Sequence, residues 1–326
     1  MRPFLNLPLS LVLIAPMGAF SAGADQPSAP TSQTFVYKTV GDCAIRADVY
    51  RPGSAGPFPV VLWIHGGALI MGDRRGISLG ELNRYLEAGF IVASIDYRLA
   101  PETKLPLILE DVADAYHWVR LDGPRLFEAD PERIAVVGHS AGGYLTLVAG
   151  YRFQPRPKAL VSFYGYGDIV GDWYRRPDPF YLRQPAVTRE EAMAVVGQDP
   201  VSQPEAGNRR GRFYLYCRQQ GLWPREVVGM DPEKDLAQFN PFCPIRNITR
   251  DYPPTLLLHG DQDTDVPFQQ SAEMSAELKR VGVQQEFVPI RGGEHGFDRK
   301  AEDPQTLHAF DRVIAFLKRV VAESSR

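Results

Sequence analysis

Residues 138–142 read Gly-His-Ser-Ala-Gly and lie where a strand pattern changes to a helical one. The apolar run 134–137 precedes them, and the pattern at 144–149 is typical of a helix. A serine between glycines in this context lies on a sharp turn at the end of a strand, with its hydroxyl exposed. Because a free serine hydroxyl is a weak nucleophile near neutral pH, Ser140 needs a general base and a group that orients the base.

A second glycine-rich turn, beginning His65-Gly66-Gly67, follows an apolar strand pattern upstream. Acyl transfer passes through a tetrahedral oxyanion, and one backbone N–H that stabilises it is worth about 3–4 kcal/mol. We expect the N–H groups of Gly66, Gly67 and Ala141 to form this oxyanion hole, because glycine leaves its N–H unshielded and Ala141 adjoins the nucleophile. A plain glycine turn is the alternative interpretation. His65 is better suited to a hydrogen bond that fixes the loop than to proton transfer.

Three carboxylates follow the apolar run 254–258, at Asp261, Asp263 and Asp265. Asp263 fits the pattern His-Gly-x-x-Asp-x-x-Val-Pro and is the predicted acid of a catalytic triad. Its role is to hold the imidazole tautomer and to stabilise the imidazolium. Asp261 and Asp265 are the alternatives, and we expect them to be capping or turn residues, since aspartate is common in such loops.

The predicted base is His295, which lies in the glycine-flanked segment 292–296 after a strand pattern at 285–290. A histidine on such a loop can reach into a site, whereas a core histidine sits within an apolar period. The remaining histidines lie in the serine turn, before loop glycines or in helical patterns: His139, His65, His259, His117 and His308. The chain order is therefore serine, aspartate, histidine, as in α/β-hydrolases.

These segments resemble α/β-hydrolase esterases of the group around hormone-sensitive lipase and the bacterial feruloyl and acetyl esterases. The resemblance is carried by 65–67, 96–102 and 130–143 together with the Asp263 and His295 loops. It implies the α/β-hydrolase fold with a helical cap insertion. It also implies a serine carboxylesterase that works through a Ser-His-Asp triad and an acyl-enzyme, on short-chain or aryl esters of the acetyl or feruloyl type.

Two positions depart from the hormone-sensitive lipase pattern. Ala68 stands where that pattern has a third glycine, and His139 stands where an acidic residue is usual. At both positions the chain is more similar to secreted feruloyl and acetyl esterases, some of which are classified as prolyl-oligopeptidase-type proteins. A serine peptidase or amidase of that type is the alternative function. Such relatives usually carry a large N-terminal gating domain, whereas only a short segment precedes the first strand pattern here.

The whole chain predicts an α/β architecture with a mostly parallel central sheet and helices on both faces. Strand patterns fall near 34–40, 44–51, 59–64, 91–96, 133–138, 158–164, 254–259 and 285–290. Helical patterns fall near 80–89, 107–120, 141–152, 268–281 and 304–322. The strand–helix–strand repetition from 80 to 164 indicates parallel strands joined by crossover helices.

This rhythm stops at about 166–250, a stretch rich in arginine, glutamine, proline and aromatic residues. A loop of that length without regular structure is implausible inside a domain, so we expect a mostly helical, cap-like insertion above the catalytic end of the sheet. Its aromatic residues are expected to form mainly its own small core, with one or two facing substrate. They are Trp173, Tyr174, Phe180, Tyr181, Phe213, Tyr214, Tyr216 and Trp223.

Composition is that of an ordinary globular enzyme, and the resemblance implies a small-molecule or carbohydrate-linked ester as its partner. The net charge of −3 and the lack of a basic stripe argue against nucleic acid. No glycine-rich phosphate loop or metal-ligand spacing is evident, so we expect no cofactor and no metal. Three cysteines leave two alternatives: a disulfide between Cys217 and Cys243 with Cys43 buried, or three thiols.

The N-terminus reads as a signal peptide over residues 1–24, followed by one domain over 25–326. Arg2 gives a short positive region, an apolar stretch spans 5–20, and Ala22-Gly23-Ala24 offers a small-residue cleavage site. An uncleaved anchor is the alternative, but the apolar run is short and interrupted by prolines. We expect export to the periplasm or beyond, with no membrane span after processing.

Overall fold

One sheet of eight strands passes through the residues that the computed structural model describes, 31–204 and 209–322. The strands are β1 Thr31–Val40, β2 Cys43–Arg51, β3 Phe58–Ile64, β4 Ile91–Ile95, β5 Ala129–His139, β6 Ala159–Phe163, β7 Thr255–Gly260 and β8 Gln285–Ile290. Their order across the sheet is β1-β2-β4-β3-β5-β6-β7-β8. The two pairings of β2 are antiparallel, and all the others are parallel.

Ten α-helices lie in the described part of the chain. They are α1 Leu79–Glu87, α2 Leu105–Leu121, α3 Gly123–Phe127, α4 Ala141–Arg152, α5 Asp172–Arg175, α6 Arg189–Met193, α7 Gly211–Gln220, α8 Trp223–Val228, α9 Gln269–Val281 and α10 Pro304–Leu317. A short π-helical turn, Lys318–Ala322, continues α10. Side-chain caps begin α1 and α10, where Ser78 and Asp303 accept backbone N–H groups.

The predicted α/β class and the mostly parallel sheet are confirmed. Every predicted strand is present, and most ends differ by one or two residues. The clearest difference is β5, which begins at Ala129 rather than near 133, because Ala129 pairs with Phe58 of β3. That extra pairing depends on a neighbouring strand, so the apolar pattern of β5 alone could not predict it.

The core lies on both faces of the sheet. All seven residues of β3 are buried, and alternate side chains enter two separate clusters. Val60, Leu62 and Ile64 face one cluster, while Val61 and Trp63 face the other. A strand buried on both faces reads as a continuous apolar run, and such runs predict the parallel strands of this sheet.

The insertion between β6 and β7 contains only helical regular elements among its described residues, α5 to α8 and three 3₁₀ turns. Two of its side chains fasten it to the loop after β3. Trp223 donates from Nε1 to the Ala68 carbonyl at 3.0 Å. The buried Arg210 guanidinium donates to the Ile70 carbonyl and forms an ion pair with Glu102 at 2.6 Å.

Cys43, Cys217 and Cys243 are free thiols, which favours the second of the two cysteine alternatives. The predicted signal peptide, residues 1–24, lies outside the described residues and stays a prediction. Of the helices described, none is long and apolar enough to cross a membrane.

Candidate active site

Ser140 occupies the one-residue junction between β5 and α4, with φ 56° and ψ −117°. Its N–H donates to the Phe163 carbonyl at 2.9 Å, which fixes the turn against β6. Glycine is required two residues before and two residues after Ser140. A Cβ on Gly138 would lie 2.3 Å from the Gly142 carbonyl oxygen, and one on Gly142 would lie 2.0 Å from that of Ile64. The strand and helix therefore approach closely at this turn.

The structure brings the three predicted triad residues into one hydrogen-bonded chain. His295 Nε2 lies 3.0 Å from Ser140 Oγ, and His295 Nδ1 lies 2.7 Å from Asp263 Oδ2. Asp263 Oδ1 accepts the N–H groups of Asp265 and Val266 at 2.8 and 2.9 Å. Because a carboxylate only accepts, Nδ1 carries the proton, and neutral Nε2 is free to accept the serine proton.

The pKa shifts of Asp263 and His295 suit an ion pair between them. Burial would raise the pKa of Asp263, but hydrogen bonds from His259 and His295 hold it well below its usual range. Burial would lower the pKa of His295, but the nearby charge of Asp265 and the contact with Asp263 raise it. Asp263 is therefore a carboxylate at neutral pH, and its charge would stabilise an imidazolium at His295.

The other two carboxylates of this loop differ from each other. Asp261 is an exposed turn residue whose Oδ1 accepts the Gly292 N–H at 2.7 Å, as expected. Asp265 was expected to be a capping or turn residue, but it faces the cavity instead. Its Oδ2 lies 3.4 Å from His295 Nε2, and its Oδ1 accepts from Arg218 at 2.7 Å. Sequence reasoning missed this position because Arg218 comes from the distant insertion.

The predicted oxyanion-hole glycines line the same cavity as Ser140. Gly66 lies so close that a Cβ there would be 3.2 Å from the serine Cβ, and Gly67 has φ 109°. Within 31–204 and 209–322, neither glycine N–H donates a hydrogen bond to another group of the protein. Ala141 is buried at the start of α4, where the first N–H groups have no intrahelical acceptor. All three N–H groups are thus available beside the serine.

His65 fixes the glycine loop, as its sequence position suggested. Its Nδ1 donates to the Gly66 carbonyl at 2.7 Å, and its ring stacks on Tyr97 at 4.2 Å. Burial lowers the pKa of His65 to about 4. The ring is therefore neutral and acts as a structural part of the loop.

A buried charged cluster lies under the serine turn, and no sequence signal pointed to it. His139 Nε2 lies 2.9 Å from Glu81 Oε1, and His139 Nδ1 lies 3.3 Å from Asp298 Oδ2. Tyr164 donates to the other oxygen of Asp298. Its members come from α1, β5 and two loops, so only the fold brings them together.

The ligand atoms of Glu81, His139 and Asp298 lie within 4.8 Å of one another, close enough to surround a metal ion. However, both ring nitrogens of His139 face carboxylates. Burial would lower the pKa of His139, but the charges of Glu81 and Asp298 raise it to about 10. An imidazolium has no lone pair for a metal, so this donor set suits a proton better than a cation.

The cavity in front of Ser140 has a volume of about 560 Å³. Its lining combines glycine backbone, aromatic rings and charged side chains. It includes Trp63, His65, Gly66, Gly67, Ala68, Met71, Asp73, Glu81, His139, Tyr164, Tyr214, Asp265, His295, Asp298 and Arg299. Of the eight aromatic residues named in the insertion, Tyr214 is the one that lines it.

A family model described as the alpha/beta hydrolase fold matches residues 61–299. A protein of unknown function from Staphylococcus aureus subsp. aureus Mu50 shares 22% identity over 90% of this chain and 100% of its own, with a TM-score of 0.73. Carboxyl esterase 2 from Tuber melanosporum shares 21% identity over 91% of this chain and 89% of its own, with a TM-score of 0.65.

Among curated proteins, the non-reducing polyketide synthase ausA of Emericella nidulans is 28% identical over 345 residues. That alignment covers 89% of this chain, but the chain spans only 14% of the length of the synthase. The likeness to the solved structures shows a shared fold. Since the family model covers well over half of the sequence, the chain belongs to the alpha/beta hydrolase fold family.

Proposed function

We propose that this protein is a serine carboxylic-ester hydrolase that works through an acyl-enzyme. One observation carries the proposal: a hydrogen-bonded chain runs from Ser140 through His295 to Asp263, at the wall of a cavity that free glycine N–H groups also line. Nucleophile, base, orienting acid and oxyanion donors are the complete set that acyl transfer requires. The shared fold of a named carboxyl esterase supports the same reaction class.

In the first step, His295 Nε2 accepts the Ser140 proton while Oγ attacks the ester carbonyl carbon. The N–H groups of Gly66, Gly67 and Ala141 stabilise the negative oxygen of the tetrahedral intermediate. The imidazolium then gives its proton to the leaving alcohol, and an acyl-serine remains. Water attacks this acyl-enzyme with His295 again as base, which releases the acid and restores the serine.

The size of the cavity favours small, soluble esters of short-chain or aryl acids as substrates. A volume of about 560 Å³ falls within the usual range for small-molecule sites. The insertion contributes Tyr214 to the cavity lining, and its described part has no long amphipathic helix of the kind that binds lipid surfaces. We expect higher kcat/KM on acetyl to butyryl esters than on decanoyl esters, and no jump in rate above the critical micelle concentration.

Ser140→Ala tests the proposal, with the exposed Ser54→Ala as matched control. The measurements are hydrolysis of nitrophenyl esters of rising chain length, methyl ferulate, acetylated xylan and a Pro-nitroanilide, with circular dichroism to check folding. We expect Ser140→Ala to lower ester hydrolysis by about 10⁴-fold or more, while Ser54→Ala retains it. Folded Ser140→Ala with a tenth of wild-type activity would exclude this nucleophile, and cleavage of the anilide alone would favour a peptidase.

A further inference from the structure

Asp265 is a cavity carboxylate that the hydrolysis steps above do not use. Its side chain is 19% exposed, so a small molecule in the cavity can reach it. Oδ1 is fully engaged, since it accepts from the hydroxyls of Tyr181 and Tyr214 and from Arg218. Oδ2 lies 3.4 Å from His295 Nε2 and is the oxygen left to contact substrate.

The position of Oδ2 assigns it to one side of the substrate. His295 Nε2 must give its proton to the leaving alcohol, so that alcohol oxygen lies beside Nε2 during the reaction. A group 3.4 Å from Nε2 therefore flanks the alcohol rather than the acyl chain. A hydroxyl on the carbon next to the ester-bearing carbon of the alcohol comes within hydrogen-bond reach of Oδ2.

The surrounding charges favour a neutral hydroxyl over a charged group. The Arg218 guanidinium is 1% exposed and lies 2.7 Å from Asp265, so its positive charge partly offsets the charge of this side chain. This ion pair weakens the attraction of Asp265 for a cationic alcohol. An anionic alcohol would be repelled by the negative charge of Asp265. What remains is an acceptor that suits a neutral hydrogen-bond donor.

We propose that Asp265 forms a subsite for the leaving alcohol and selects a polyol or sugar alcohol with a hydroxyl adjacent to the ester. The inference rests on the proposed esterase function and specifies its substrate class. A hydroxyl donates a charge-assisted bond to Oδ2, whereas an alkyl group removes water from that oxygen and leaves it unpaired. A difference of about 10-fold to 100-fold in kcat/KM follows.

The test compares 2-hydroxyethyl acetate with propyl acetate, two esters of equal length in which a hydroxyl replaces a methyl group. Wild-type protein should prefer the hydroxyethyl ester by about 10-fold or more. Asp265→Ala should abolish the preference, and the milder Asp265→Asn, which keeps an oxygen for Arg218, should reduce it. Asp178→Asn is the matched control, because Asp178 is the other carboxylate on Arg218 and does not line the cavity. It should keep the wild-type ratio.

Three results would overturn the inference in different ways. Equal kcat/KM for both esters in the wild-type protein would remove the subsite while leaving the esterase function intact. A clear preference for acetylcholine over both would show a cation site instead of a hydroxyl site. Failure to hydrolyse these esters and every ester in the chain-length series would overturn the proposed function together with this inference.

Discussion

Ser140 occupies a backbone conformation that costs about 1–3 kcal/mol, and two hydrogen bonds hold it there. Its N–H donates to the Phe163 carbonyl and its carbonyl accepts the Tyr144 N–H, each at 2.9 Å. The first bond ties the turn to β6 and the second begins α4. Contacts with β6 and α4 thus hold the strained turn in place, and the hydroxyl points at His295 Nε2.

Substitution of the proposed triad acid, Asp263, should affect activity far more than substitution of its neighbour Asp261. Asp263→Asn should lower kcat by about 10⁴-fold, because the amide no longer fixes the His295 tautomer. Asp261→Asn should leave kcat within a few fold, since in the described part of the chain the Asp261 side chain accepts hydrogen bonds only from exposed loop groups. Steady-state kinetics on a nitrophenyl acetate measures both, and equal losses would mean that the acid was misassigned.

Asp265 also affects the pH dependence of the reaction. Burial would lower the pKa of His295, and the charge of Asp265 is the foremost influence that raises it. The base must be neutral, so activity increases as pH rises through this pKa. Asp265→Asn removes the charge and should move the acidic limb of kcat/KM to lower pH. An unchanged limb, or a move to higher pH, would contradict this assignment of the charge.

Local motifs predicted Ser140, Asp263 and His295, because each lies in a short pattern that includes its own turn glycines or strand end. They could not predict the environment of Asp265 or the cluster around His139. Those depend on Arg218, Glu81 and other residues far away in the sequence, which only the folded chain brings within hydrogen-bond distance. Short local motifs thus predict the candidate catalytic residues, whereas the contacts that surround these residues depend on parts of the chain far away in the sequence.

At the scale of elements, the insertion and the glycine loop form one unit. The loop has two non-glycine residues at positive φ, Ala68 at 56° and Leu69 at 62°. Such conformations persist where surrounding contacts hold them. The Trp223 bond to the Ala68 carbonyl and the Arg210 bond to the Ile70 carbonyl supply those contacts. The insertion therefore supports the loop that carries Gly66 and Gly67, as well as contributing Tyr214 to the cavity wall.

Trp223→Phe tests this coupling, with Trp173→Phe as its matched control. Trp223 is fully buried, and its loss would leave the Ala68 carbonyl unpaired at a cost of about 1–3 kcal/mol in the free energy of unfolding. The buried Nε1 of Trp173 has no hydrogen-bond partner in the described part of the chain, so that variant removes no such bond. The free energy of unfolding, measured in urea, and kcat should both fall more for Trp223→Phe than for Trp173→Phe. Equal effects of the two substitutions would argue against the coupling.

The sequence indicated a helical insertion but not its helices. Most of them are shorter than two turns, as in Asp172–Arg175 and Arg189–Met193, and segments of that length carry little periodicity. The longest, α7, buries polar Arg218 and Gln219 as well as apolar side chains. Its inner face is therefore partly polar, so the sequence of α7 shows no clean apolar stripe.

At the scale of the whole molecule, the sheet carries a buried charged cluster at its catalytic end. β3 and β5 lie next to each other, so Trp63 and His139 meet, and Trp63 donates to the same Glu81 oxygen that faces His139. Tyr85 donates to that oxygen too. The cluster joins α1 to the serine turn, so its protonation bears on the stability of the entire fold.

That stability should fall as pH rises above the ordinary histidine pKa of about 6.5. The charges of Glu81 and Asp298 outweigh burial and raise the pKa of His139 to about 10. The folded state therefore keeps a proton that the unfolded state has lost. Stabilisation is complete below about pH 6.5 and disappears as pH approaches 10, with a slope of at most about 1.4 kcal/mol per pH unit.

Urea unfolding between about pH 7 and 8 measures this slope, because in that range an unfolded His65 is mostly neutral and unfolded thiols are mostly protonated. His139→Gln should flatten the dependence, because the variant has no imidazolium between the two carboxylates. His295→Gln is the matched control: it removes the other histidine whose pKa is raised and should retain the part of the slope that comes from His139. If His139→Gln unfolds with the same pH dependence as the wild-type protein, the proton does not reside on His139, and the cluster must hold it on a carboxyl group instead.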